Sequence, residues 1–121
     1  VERLEITPLS AGGAARSALG GSWVPLPPMS HARAECAAAA FNGALYVVGG
    51  RSKDGEAQSA AERFDPQVTV HGAWTPLPPL RSARFGCAAA VAGGRLCVVG
   101  GCGDDGQPLS STELWASTGA D

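Results

Sequence analysis

Short apolar runs, each closed by glycine, proline or a polar pair, succeed one another along the chain. Residues 35–41 (ECAAAAF) and 86–92 (GCAAAVA) are continuous runs of small apolar side chains, the pattern of a strand covered on both faces. Each is followed by a hairpin signal, Asn42-Gly43 or Gly93-Gly94, whose residues accept the positive φ of a two-residue turn. The next runs, 44–48 (ALYVV) and 95–99 (RLCVV), carry β-branched bulk and are predicted as antiparallel partners of the first. Both end in paired glycines, Gly49-Gly50 and Gly100-Gly101. Polar loops follow, then third strands predicted at about 60–65 and 111–116. Asp65-Pro66 turns the chain into a fourth strand around Trp74. At the N-terminus VERLE (1–5) matches AERFD (61–65) and reads as another third strand, with GSWVPL (21–26) as its fourth. About nine strands are predicted.

These runs recur at a fixed interval. Laid without gaps over residues 74–117, residues 23–66 are identical at 21 of 44 positions, an offset of 51 residues. Trp23 meets Trp74, Pro25-Leu-Pro-Pro28 meets Pro76-Leu-Pro-Pro79, Arg33 meets Arg84, and Cys36 meets Cys87. The glycine pairs coincide, and Glu62 meets Glu113. A strict period of this length marks a repeat architecture. An arginine before a small apolar run, a hairpin Asn-Gly, an apolar run ending in Gly-Gly, then Glu-x-aromatic-Asp-Pro and a tryptophan together resemble the kelch repeat. The resemblance covers nearly the whole chain except 7–22 and implies an all-β fold: four-stranded antiparallel blades of a β-propeller. Residues 1–26 then form the end of one blade with a long low-complexity loop (10–22), 33–77 a complete blade, and 84–116 three strands of the next. That ring is incomplete. Propellers close with four to eight blades, so the chain is expected to be a fragment, taking its missing blades from a longer chain or from self-association.

Composition narrows the function. Hydrophobic residues make up 45% and charged residues 17% of the 121 positions, with 17 glycines and 9 prolines. The net charge of −2 offers no electrostatic footprint for nucleic acid or an anionic membrane. Apolar runs fall far short of a membrane-spanning helix. Cys97 and Cys102 would sit about 16 Å apart on one extended run, too far for a disulfide, and no CxxC supports a zinc site. Small buried cysteines in a reducing, cytoplasmic setting are the expectation.

Candidate chemistry is sparse. Gly101-Cys-Gly-Asp-Asp-Gly106 spells a dinucleotide fingerprint, but Pro108 and a strand-like run follow it instead of a helix. The PLPP segments recur in register and read as connections between blades, not as ligands for another domain. The two histidines assemble no catalytic set, and Asp104-Asp105 lack a calcium ladder. No metal or cofactor is expected. Arg33 and Arg84 are predicted to begin innermost strands at one mouth of the central channel. In kelch substrate adaptors the matching arginines are among the ligand contacts; pairing with Glu62 and Glu113 is the structural alternative, and both roles can coexist. His31, Arg51, Lys53, Glu56, Ser82 and Asp104 do not repeat between the units and lie on the same rim, where specificity is expected. Gly49, Gly50, Gly100, Gly101, Trp23, Trp74, Glu62 and Glu113 are expected to build the scaffold. The resemblance thus implies a non-catalytic scaffold that binds a protein or peptide, as a substrate adaptor, actin-binding protein or signalling scaffold. The alternative is an enzyme resembling galactose-oxidase-like or sialic-acid-epimerase kelch proteins, with its catalytic residues outside this chain. Tyr46, the sole tyrosine, sits in a predicted buried strand and is answered by Cys97 in the next repeat, which weighs against a copper-radical site in these blades.

Overall fold

The computed structural model describes residues 1–7 and 20–116. Among them are nine strands and three antiparallel sheets. β1 (Glu2–Thr7) pairs with β2 (Gly20–Pro25). β3 (Ala37–Phe41), β4 (Ala44–Val48), β5 (Ala61–Asp65) and β6 (Ala73–Leu77) form a four-stranded meander. β7 (Ala88–Ala92), β8 (Arg95–Val99) and β9 (Thr112–Trp115) form a three-stranded one. The low-complexity loop expected over 10–22 lies outside the described residues up to Gly20, where β2 begins.

The second and third sheets are copies. β3, β4 and β5 begin at residues 37, 44 and 61, and β7, β8 and β9 at 88, 95 and 112. The same offset relates the bridges Ala34–Arg51 and Phe85–Cys102 at the head of each unit. Both hairpins turn where positive φ is tolerated, through Asn42 (φ 50°) and Gly43 (φ 75°) and through Gly93 (φ 58°) and Gly94 (φ 72°).

One boundary differs from the sequence reading. Arg33 and Arg84 do not begin strands; β3 and β7 start four residues after them, at Ala37 and Ala88. The reason lies at Glu35 (φ 56°) and Gly86 (φ 66°), whose left-handed backbone breaks the extended run. The arginines therefore sit in the connector and reach back toward β4 and β5 (or β8 and β9).

The sheets stack side by side. Strand alternation puts Ala37, Ala39, Tyr46, Val48 and Ala61 on one face of the second sheet and Ala89, Leu96 and Val98 on the facing side of the third. Ala37, Val48, Ala61 and Val98 form one apolar cluster and Ala44, Tyr46 and Leu96 another. β3 and β7, the first strands of their sheets, lie next to each other at the seam. The alanine-rich sequence of these strands lets the backbones converge there. Covering by the next sheet has a direct measure: Val48 is 2% exposed, whereas Val99, the same position one repeat later, is 42% exposed.

Each glycine of a pair makes room for a different neighbour. A Cβ on Gly49 would lie 2.5 Å from the Arg84 carbonyl oxygen, which belongs to the following unit. One on Gly50 would lie 2.8 Å from the Ala34 oxygen of its own connector, as one on Gly101 would lie 2.5 Å from the Phe85 oxygen. The pair is the place where two chain segments cross the end of β4, and no side chain fits between them.

Candidate binding rim

The rim is built on a buried arginine–glutamate node, present once per unit. Arg33 donates from Nη1 to the carbonyls of Gly49 (3.2 Å) and Ala60 (2.8 Å) and from Nη2 to Glu62 Oε2 (2.6 Å). Arg84 repeats this on Gly100 (2.9 Å), Ser111 (3.0 Å) and Glu113 Oε2 (2.9 Å). Ser111 adds its hydroxyl at 2.9 Å, where the first unit has Ala60. Both arginine side chains are fully buried. Each guanidinium thus ties the connector, the end of the second strand and the start of the third into one knot. On the other side of the knot, the carboxylates accept backbone N–H groups of the incoming linker: Glu62 from Ser30 (3.0 Å), Glu113 from Arg81 (2.6 Å) and Ser82 (3.0 Å).

Burial opposes the charge on Glu62, but the Ser30 N–H and hydroxyl and the Arg33 guanidinium outweigh it, so its carboxyl titrates below the ordinary range. Glu113 behaves alike: burial pushes it up, and the N–H groups of Arg81 and Ser82 with the Arg84 guanidinium bring it down further. Buried ions persist where such partners satisfy them.

Above the knots lie the loops between second and third strands. Asp104 Oδ1 accepts the Ala57 N–H at 2.8 Å, and Arg51 stacks over the Phe85 ring at 4.5 Å. Both contacts run from one unit to the next: the first joins the two loops, the second fastens the 51–57 loop to the connector that leads into β7. Arg51 also faces Glu35 at 3.5 Å. Lys53, Glu56 and Asp104 are exposed. His31 is exposed too, its Nδ1 2.9 Å from Ser30 Oγ and 3.9 Å from Glu62 Oε2. Ser82 is half-buried, and its carbonyl receives Arg84 Nε at 3.4 Å. The structure therefore brings Arg51, Asp104 and the 51–57 and 102–108 loops together, with His31 and Ser82 on the linkers beside the knots.

The two tryptophans that repeat, Trp23 and Trp74, differ in setting. Trp74 packs on Phe64, ring centroids 5.2 Å apart, and donates to the Pro27 carbonyl at 2.7 Å, tying the second sheet to the linker before it. Trp23 is 63% exposed. Tyr46 is buried against Phe41. A cavity of about 380 Å3 lies in the seam, lined mainly by Leu77, Leu80, Leu96, Val98 and Trp115 and reaching Arg81 and Glu113 of the second knot. Among the described residues no cluster of three or more His, Cys, Asp or Glu is placed to hold a metal ion.

Glu35 and Phe85 were not singled out from sequence. The signal was present: the aligned repeats put Glu35 opposite Gly86 at a position whose backbone favours glycine, and Ala34 opposite Phe85.

The sequence pattern of the kelch motif matches residues 32–81. An F-box/kelch-repeat protein of Arabidopsis thaliana is 44% identical over 80 residues, which is 66% of this chain and 20% of that protein. The chain belongs to the kelch-repeat family. Human Kelch-like protein 33 is 40% identical over 89 residues, covering 74% of the chain and 16% of its own length. The chain thus spans about a fifth or less of these kelch relatives. Among solved structures, YjhT superimposes with a TM-score of 0.59 at 23% identity, over 70% of this chain and 26% of that one. That likeness concerns the fold: the sheets are kelch blades.

Proposed function

We propose that this kelch unit is a non-catalytic protein-interaction module that engages a protein or peptide through the rim formed by the 51–57 and 102–108 loops and the linkers around His31 and Ser82. The observation that carries the reading is the division of labour there. The arginines and glutamates that repeat are consumed in buried knots, while side chains that differ between blades, Lys53, Glu56 and Asp104, stand exposed on loops fastened to each other. A constant scaffold displaying variable polar loops is how binding surfaces are built on rigid folds. Kinship with F-box/kelch and Kelch-like proteins supports the same reading. In this arrangement Arg33 and Arg84 act as supports, and the partner meets the loop side chains.

The test uses affinity capture with the full-length protein. Reversing Lys53, Glu56 and Asp104 together (K53E, E56K, D104K) is expected to abolish recovery of the partner. Changing Gln67 and His71, in the exposed loop between β5 and β6 at the other end of the blade, is expected to preserve it. Equal recovery by both variants, each folded, would overturn the rim assignment.

A further inference from the structure

Cys36 and Cys87 are one position, written once per blade, and each directly precedes its innermost strand. The residues before them are joined across the seam, Gly86 N donating to the Glu35 carbonyl at 2.8 Å. Both cysteines therefore leave the same inter-blade hydrogen bond and run into adjacent strands. What floors the space between them has no side chain. A Cβ on Gly49 would lie 3.5 Å from Cys87 Sγ, and one on the next residue, Gly50, 3.1 Å from Cys36 Cβ. Both thiols are free and partly exposed. Burial raises the Cys87 thiol; nearby Arg84 opposes that rise and nearby Cys36 adds to it, a second sign that the two sulfurs share one environment.

We infer that Cys36 and Cys87 form a reversible redox pair between neighbouring blades, converted by a hydroperoxide into a disulfide that staples the two rim connectors together. The thiolate of one cysteine attacks the peroxide O–O bond, becoming a sulfenic acid and releasing water or an alcohol. The second thiol then attacks that sulfur, the S–S bond forms, and the sulfenic oxygen leaves as water. Two thiols lose two hydrogens and two electrons, and the peroxide is reduced. Thiol–disulfide exchange reverses the change. Closing to the Cα separation that a disulfide needs meets no side chain at Gly49 or Gly50, where a Cβ would crowd Cys87 Sγ and Cys36 Cβ.

Trypsin separates the relevant thiols, since Cys36 lies in the peptide 34–51, Cys87 in 85–95, and Cys97 with Cys102 in the peptide that begins at Leu96. The protein, in a Cys97→Ser/Cys102→Ser background, is treated with hydrogen peroxide, alkylated, digested without reduction and analysed by mass spectrometry. The expected product is the 34–51 and 85–95 peptides joined with loss of two hydrogens, restored by dithiothreitol. It should form within a monomer and fall at least fivefold when the blades are first unfolded in urea. Full alkylation of both cysteines after peroxide, a crosslink confined to covalent dimers, or equal yield in urea would each overturn the inference. Cys36→Ser, which should abolish the disulfide and leave the 85–95 peptide uncrosslinked, checks the pairing.

Discussion

Gly49 and Gly100 share a φ of +67° but not a neighbour, and that difference isolates the force that joins one blade to the next. Alanine in the left-handed region costs roughly 1–2 kcal/mol at either position. At Gly100 an added Cβ would lie 3.7 Å from the Leu109 carbonyl oxygen, an ordinary contact. At Gly49 the new methyl would sit 2.5 Å from the Arg84 carbonyl oxygen, about 1 Å inside a comfortable separation. That oxygen also accepts the Gly50 N–H at 2.8 Å. Moving it far enough to admit the methyl breaks this bond and leaves a polar group without a partner, at about 1–3 kcal/mol. Gly49→Ala should therefore destabilise the protein by about 2–5 kcal/mol and Gly100→Ala by about 1–2 kcal/mol. Urea unfolding followed by tryptophan fluorescence measures both. Losses equal to within about 0.5 kcal/mol, a difference the linear extrapolation resolves only in paired measurements, would refute the claim that Gly49 makes room for the following blade.

Other outcomes follow from the knots and the rim. Arg84→Ala removes the donor for the Gly100 and Ser111 carbonyls and strands the Glu113 carboxylate, so a loss of about 3–5 kcal/mol is expected; adding Glu113→Gln should recover part of it in a double-mutant cycle. Glu62 and Glu113 have folded pKa values below their unfolded ones. Their contribution to stability is therefore complete above the usual glutamate value of about 4.3 and is lost as the pH falls through the depressed folded values. Glu62→Gln/Glu113→Gln should flatten the acid limb of a stability–pH curve, and an unchanged limb would contradict the assignment. Glu35→Gly puts at the left-handed position the residue that the next repeat uses there; the relief of about 1 kcal/mol should exceed the loss of the exposed pair with Arg51, raising the thermal midpoint.

The fold was legible because the physics that sets each strand is local. Small residues permit convergence at the inner strands, Asn-Gly and Gly-Gly permit tight hairpins, and Val-Val supplies β-branched bulk. Each of these is written in the chain at its own place and again 51 residues on. The position of the arginines was harder to read. A run such as RAECAAAAF looks like one continuous strand until the backbone of Glu35 is known, and only the glycine at the matching position of the next repeat, Gly86, hints at a positive φ there. Contacts between blades were out of reach for a different reason. Arg51 over Phe85 and Ala57 to Asp104 join residues that do not repeat, so the alignment that revealed the scaffold had nothing to say about them.

Everything rests on neighbouring blades packing along a shared seam, and three backbone amides report on that seam alone. Gly50 N donates to Arg84 O, Arg84 N to Gln58 O, and Gly86 N to Glu35 O, each from one blade to the other. Amide hydrogen exchange resolved at these positions is the most direct measurement. If the blades stack as described, the three amides are protected to nearly the degree of those within β4. Exchange at the rate of an unfolded chain while β4 stays protected would mean that the sheets fold without packing on one another, and the account would fail.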